Sequence, residues 1–337
     1  MRRPFAVLIV VTLAACGGSG DDGEAASDDA GTRSVETAYG AVDIPAEPRR
    51  IVGDLMTVDY LSALGYDTDR IVGVFDKDFF PDDHYLAGVL GSEGIVDIGS
   101  TYEPNLEAIA AADPDLILVP FDQVEGSPVL EELREIAPLA AVPTSPGTDD
   151  PEVRFGGTAS FQDWRSTIRA YGAVLDMDDE AEAYVAETEA RIEELRAARS
   201  DLIAATTATE AKSTPHYMAI NALSSAAESG VLGSILLSEL GFASPPHQAA
   251  LVPDEFGTIE LSAENIDLLD GDLLFLEVRE EARGHEDSPL WPTLGVVQQG
   301  GVVVVGNHWE YGGATAARVV LDDISAALDE LAARRAG

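Results

Sequence analysis

Residues 103–118 read Glu-Pro-Asn-Leu-Glu-Ala-Ile-Ala-Ala-Ala-Asp-Pro-Asp-Leu-Ile-Leu. A short amphipathic stretch runs into a turn with two aspartates, and an unbroken apolar run follows at 116–119. An apolar run without alternation is what a strand buried on both faces requires. The same grammar returns downstream. Glu260, Glu264, Ile266, Asp270, Asp272, Leu273 and Phe275 repeat Glu103, Glu107, Ile109, Asp113, Asp115, Leu116 and Leu118 at a constant offset of 157 residues. Ahead of each copy, Leu61-Ser-Ala-Leu-Gly-Tyr66 is echoed by Leu237-Ser-Glu-Leu-Gly-Phe242. Both read as helices that end on a glycine. Two motifs kept in the same order predict two halves built alike.

Working outward, strands are expected at 51–52, 71–74, 116–119 and 140–142 in the first half, and at 217–220, 273–276 and 302–305 in the second. They alternate with helical segments, the pattern of α/β units with mainly parallel sheets. Between the halves, 162–175 and 179–205 carry apolar residues at three- and four-residue spacing. The second of these is rich in Glu, Ala and Arg and has no internal Gly or Pro. The predicted architecture is two pseudo-symmetric α/β lobes joined by a single long backbone helix. Its parts are an N-terminal lobe at 36–160, an interlobe helical segment at 161–205 and a C-terminal lobe at 206–337.

The chain has 337 residues, with 20 Lys+Arg against 61 Asp+Glu and a formal net charge of −41. Such a balance leaves no basic stripe for a nucleic-acid backbone. Residues 1–15 begin Met-Arg-Arg and continue as an apolar run too short to span a bilayer, the form of a secretory signal. Cys16 is the chain's single cysteine, so no internal disulfide and no thiolate zinc site is expected. It follows Leu13-Ala14-Ala15, a pattern that resembles the bacterial lipobox, in which this cysteine is lipidated. The Gly/Ser/Ala/Asp-rich stretch at 16–35 reads as a flexible tether. The five histidines, at 84, 216, 247, 285 and 308, are scattered, and no metal cage is expected. No Gly-x-Ser-x-Gly elbow and no phosphate-cradling loop is present, so an enzyme is not expected.

Further residues carry a resemblance. Pro48-Arg-Arg-Ile-Val, Leu64-Gly65, Asp97-Ile-Gly99, Glu103-Pro-Asn-Leu-Glu107, Pro114-Asp115-Leu-Ile-Leu, Pro289-Leu-Trp291 and Trp309-x-Tyr311-Gly312-Gly313 follow in order. Over roughly 46–330 the chain resembles the helical-backbone solute-binding proteins of ABC importers, in their iron-siderophore branch. The resemblance implies two lobes bridged by a helix, here at 162–175, and a ligand held in the cleft between them. It implies no cofactor, a ferric siderophore as ligand, a permease and ATPase as partners, and a monomer outside the membrane that touches it only through lipidated Cys16. Haem or cobalamin is an alternative ligand for the same fold, and a ligand sensor coupled to a membrane receptor is an alternative role.

Ligands of open α/β sheets sit beyond the carboxyl ends of the strands. The segments there hold Leu55, Met56, Phe79, Phe80, Tyr85, Gln123, Arg154, Phe155, Asn221, Arg279, Arg283, His285, His308, Trp309 and Tyr311. By resemblance to the ferric-hydroxamate binders, cleft aromatics fall on Tyr85, Phe256, Trp309 and Tyr311, with a small hydroxyl at Thr258. An aromatic position becomes Gln123, and the arginine that meets the iron-bound oxygens becomes Thr101. Arg154 or Arg279 can supply that charge from another loop, or can serve in ordinary salt bridges. Trp309 and Tyr311 read either as cleft walls or as cover for the last helix. A bulky ligand with its own oxygen shell calls for aromatic area and a few donors rather than metal ligands, and a neutral or cationic hydroxamate complex suits so acidic a body. The resemblance also implies a docking carboxylate on each lobe: Glu131, with Glu132 as its alternative, and Glu239.

Overall fold

The computed structural model describes residues 31–37, 40–77, 84–101, 103–120, 130–142, 163–223, 231–254, 257–279, 285–286 and 288–336. Its first element is an antiparallel hairpin of β1 (Thr32–Thr37) and β2 (Gly40–Pro45). The first lobe's sheet comprises β3 (Ile51–Gly53), β4 (Ile71–Val74), β5 (Val96–Asp97), β6 (Leu116–Pro120) and β7 (Leu139–Val142), all parallel, in the order β5-β4-β3-β6-β7. The second lobe's sheet comprises β8 (Ala208–Ser213), β9 (Met218–Asn221), β10 (Thr258–Leu261), β11 (Leu273–Val278) and β12 (Val302–Val305). Its order, β10-β9-β8-β11-β12, repeats the first position for position. The pairs β8–β11 and β11–β12 are parallel, whereas β9 and β10 run antiparallel to their neighbours.

The helices used below are α1 (Leu55–Ala63), α2 (Leu106–Ala111), α3 (Leu130–Ile136), α4 (Trp164–Leu175), α5 (Asp178–Ala198), α6 (Leu232–Leu240) and α7 (Ala314–Ala336). The two Leu-Gly motifs end α1 and α6 in the same way. Gly65 and Gly241 take φ of +69° and +97°, and the amides of Tyr66 and Phe242 reach back to the carbonyls of Leu61 and Leu237 at 2.9 and 3.1 Å. A left-handed residue is needed for that closure, and glycine adopts it without strain.

The repeated aspartates also share one task. Asp115, just before β6, accepts from the backbone amides of Arg49 and Arg50 at 2.8 and 2.9 Å. Asp272, just before β11, accepts from the Thr207 amide at 2.8 Å and from its hydroxyl at 2.9 Å. Each carboxylate thus pins the entry of the neighbouring central strand, β3 or β8. The sequence echo is therefore a repeated strand-register device.

Some boundaries differ from the expectation. β1 begins at Thr32, inside the segment read as tether. Val35 is buried there, and the Arg33 guanidinium donates to the carbonyl of Val174 at the end of α4. The interlobe segment is broken at Asp176, whose φ of +59° caps α4. Beyond it, the 21-residue α5 is followed by a short helix at Ser200–Ala204. One apolar core runs through both lobes and collects Val58 and Leu61 from α1, Trp164 and Tyr171 from α4, Leu236 from α6, and Val320, Leu321 and Ile324 from α7. No helix among the described residues is long and apolar enough to cross a membrane.

Candidate functional site

The loops beyond the carboxyl ends of the two sheets meet. Tyr85, from the segment after β4, and His308, from the turn after β12, have ring centroids 5.5 Å apart. Behind them Asp59 of α1 is wholly buried and ties the lobes together. Its carboxylate accepts from Tyr85 Oη at 2.7 Å and from the first amides of α7, Thr315 at 2.8 Å and Ala316 at 3.0 Å. The Thr315 hydroxyl donates to the Asp59 carbonyl at 2.7 Å. An acid at a helix N-terminus satisfies donors that the helix leaves open. Gly313 permits the approach, because a Cβ there would lie 2.5 Å from Asp59 Oδ1. The Tyr85 hydroxyl is therefore engaged in joining the lobes.

On the first lobe, Asp54 follows β3 and caps α1 by accepting from the Thr57 amide at 2.8 Å. Asp76 follows β4 with φ of +55° and accepts from the Thr101 amide at 3.4 Å. Thr101, read as the place of an arginine, is buried, and the carboxylate of Asp76 stands beside it where that resemblance put a cation.

Burial raises the pKa of Asp54 and of Asp59 from 3.8 to about 6, with their hydrogen bonds pulling the other way. The folded chain therefore holds these protons more tightly than the unfolded chain. Stability from this source is fully present below about pH 4, declines as pH rises, and levels off above about 6. A shift of about two units corresponds to roughly 3 kcal/mol per group. Asp54→Asn keeps an oxygen for the Thr57 amide and removes the charge. Its urea unfolding is expected to show a shallower decline between pH 4 and 6.5 and a gain on the order of 1–2 kcal/mol at pH 7. An unchanged pH slope would show that Asp54 titrates alike in both states.

The second lobe carries a dense charged cluster. In register on adjacent strands, Glu210 and Lys212 of β8 lie beside Phe275 and Glu277 of β11, and Glu210 lies opposite Asn221 of β9. The Lys212 ammonium donates to Glu310 Oε1 at 3.0 Å. Arg279, one residue past β11, donates through Nε to Glu277 Oε1 at 2.7 Å and through Nη2 to Glu310 Oε2. Its guanidinium lies 4.9 Å from the centroid of Tyr311, a ring about half exposed. Burial opposes the charges on Lys212 and Arg279, but the glutamates outweigh it and raise both pKa values. Burial also raises Glu210 far above its ordinary value, helped by Glu310 and Glu277, and raises Glu277 against the pull of Arg279. Glu210 Oε2 has no hydrogen-bond partner among the described residues.

Arg279 and Tyr311 therefore stand together at the strand ends, and Thr258 lies next to Asn221, its hydroxyl 3.4 Å from Asn221 Oδ1. Trp309 is placed elsewhere. It is fully buried, stacks on Phe275 at 4.5 Å and donates through Nε1 to Asp323 at 2.8 Å, so the reading of it as a cleft wall gives way to a core position. Leu55 and Met56 also point into the core. His285 is buried, with Nδ1 3.0 Å from the Ser213 hydroxyl, and packs edge-on against Trp291. Glu131 is exposed and pairs with Arg134 at 3.0 Å. Glu239 is held by both Nη atoms of Arg165 on α4, at 3.0 and 3.1 Å. Cys16, Phe79, Phe80, Gln123, Arg154, Phe155, Phe256 and Arg283 lie outside the described residues.

Glu210, Lys212, Glu277 and Glu310 went unread in the sequence. The available signal was the pair of charges inside 208–213, directly between a helix and a turn, where a central strand was due. A cavity of about 570 Å³ lies among Ala197, Arg199, Leu202 and Arg335. Arg335 bonds Thr206 and Asp272, which precede β8 and β11, so this cavity belongs to the opposite, amino end of the sheet. Among the described residues no group of three or more His, Cys, Asp or Glu is arranged to hold a metal ion.

The chain is 27% identical over 340 residues to the Bacillus subtilis protein named "Probable siderophore-binding lipoprotein YfiY", covering 94% of each. It is 28% identical over 182 residues to the Bacillus subtilis "Iron(3+)-hydroxamate-binding protein YxeB", covering 52% of this chain and 50% of that one. In fold it is similar to the siderophore periplasmic binding protein from the fuscachelin gene cluster of Thermobifida fusca, with a TM-score of 0.64 and 24% identity over 85% of this chain and 98% of that one. The sequence model described as "Periplasmic binding protein" matches residues 51–307. The chain belongs to this family of binding proteins, which are not enzymes.

Proposed function

We propose that this chain captures a ferric siderophore, with a hydroxamate complex as the favoured class, in the cleft between the carboxyl ends of its two sheets, and delivers it to an ABC permease with its ATPase. The carrying observation is Tyr311, an exposed aromatic ring braced on Arg279 at the strand ends of the second lobe. A ferric complex brings its own oxygen shell, so it needs contact area and a few donors from the protein rather than metal ligands. Tyr311 supplies area over the paired Arg279, Thr258 offers a hydroxyl, and Tyr85 with Thr101 closes the first lobe's side. Gln123, Arg154 and Phe256, read from the sequence alone, complete the proposed set. The names of the hydroxamate-binding and siderophore-binding relatives support the ligand class.

A lipid on Cys16 anchors the monomer outside the membrane in this reading. Exposed Glu131 is the docking carboxylate of the first lobe. Glu239 can dock only by giving up Arg165, because that guanidinium holds both of its oxygens.

The test is a tryptophan-fluorescence titration of the tag-free domain with ferrioxamine B, ferrichrome, a ferric tris-catecholate, haem and cobalamin. Saturable quenching by the hydroxamate complexes is the expected result. A response confined to haem or cobalamin would replace the ligand, and no response to any of them would favour a sensing role.

A further inference from the structure

Among the described residues, the cations at the second lobe's strand ends are already paired. Lys212 is bound by Glu310, and Arg279 is held between Glu277 and Glu310. Two cations therefore face two carboxylates directly, with a third acid, Glu210, buried beside them. The first lobe adds Asp76 after β4, which accepts from the Thr101 amide. Among the described residues the second lobe's paired charges thus balance, two cations against two carboxylates. A buried ion pair left with an unmatched charge is disfavoured strongly, so the glutamates do not simply release their partners when a ligand arrives.

We propose that Glu277 and Glu310 are the residues that set the charge of the ligand, restricting the site to ferric complexes with no net negative charge by occupying Arg279 and Lys212. This rests on the reading of the chain as a ferric-siderophore binder and adds the selectivity to it. A tris-hydroxamate complex of Fe(III) is neutral, and becomes cationic where its chain ends in an amine. A tris-catecholate complex carries three negative charges. The first meets a balanced aromatic face. The second meets two carboxylates that have already taken the donors it needs. Specificity of this kind comes from what is repelled as much as from what is held.

The substitutions Glu310→Gln and Glu277→Gln keep the side-chain shape and free part of the cation set. Affinities for ferrioxamine B and for a ferric tris-catecholate are measured on the wild type and both variants by fluorescence quenching, with melting curves as the control for folding. The wild type is expected to prefer ferrioxamine B by at least about a hundredfold, and either variant to narrow that ratio by about tenfold or more, equivalent to about 1.4 kcal/mol. The narrowing should come from tighter tris-catecholate binding and shrink in high salt. Folded variants with an unchanged ratio overturn the proposal while leaving siderophore capture intact. If neither variant folds, the wild type alone decides, since equal affinity for the two complexes overturns it. A wild type that binds no ferric complex overturns the siderophore reading itself, and the charge selection with it.

Discussion

Asp59→Ala is expected to destabilise the domain by about 3 kcal/mol at pH 7 and to loosen the joint between the lobes. The carboxylate is wholly buried and accepts from Thr315, Ala316 and Tyr85 across the lobe boundary. Each buried donor left without a partner costs about 1–3 kcal/mol. Removing a buried charge returns part of that loss, since burial raises the Asp59 pKa to about 6. The two opposing effects fix the sign of the pH dependence. Below about pH 4 the wild type has no such charge to relieve, so the mutation costs more there than at pH 8. Urea unfolding at both values gives the comparison, and hydrogen exchange at the Thr315 and Ala316 amides reports the joint directly. A loss that is equal at both pH values, with unchanged exchange at α7, would remove Asp59 from this role.

The origin of that joint explains how much could be read from the sequence. The parallel strands at 51–52, 71–74, 116–119, 140–142, 273–276 and 302–305 were legible because they are apolar runs bounded by turns, and the paired order of Leu-Gly and Asp-x-Asp disclosed the repeat. The structure gives those letters a purpose, since Gly65 and Gly241 close helices and Asp115 and Asp272 pin strands. β8 was not legible. Its sequence, Ala-Thr-Glu-Ala-Lys-Ser, has no apolar run, yet all six residues are buried at the centre of a sheet. It escapes pattern reading because its inward side chains are the charged cluster itself, and strand patterns assume that buried means apolar. The hairpin β1–β2 was hidden for a related reason. It buries little of its own surface and rests on α4 through Val35 and Arg33, so tertiary contact decides its order rather than its composition. Of the site, Arg279 and Tyr311 were legible as polar and aromatic residues after strands, while the glutamates that engage Arg279 were not, because only the fold brings 277 and 310 together.

Trp309 and Tyr311 show how two residues of one motif separate by function, and their substitution has the other large expected effect. The turn that carries them follows β12 and must deliver α7 to α1 past Gly313, which fixes its path. Along that path Trp309 turns inward to Phe275 and Asp323, whereas Tyr311 turns out and stacks on Arg279. Deleting a fully buried tryptophan typically costs about 3–5 kcal/mol, from lost transfer energy and the cavity left behind. Trp309→Ala is therefore expected to lower the melting temperature by several degrees. Any loss of ligand affinity should follow the loss of folded protein. Tyr311→Ala removes a ring that is 52% exposed, so its stability should change by less than about 1 kcal/mol. Its affinity for the ferric hydroxamate should fall by about tenfold or more, because a cleft aromatic contributes contact area directly. The pair of melting curves and titrations separates the two residues. Were Trp309→Ala to keep its stability and lose binding, while Tyr311→Ala kept both, the ligand would lie against Trp309 and the face centred on Tyr311 would not be the site.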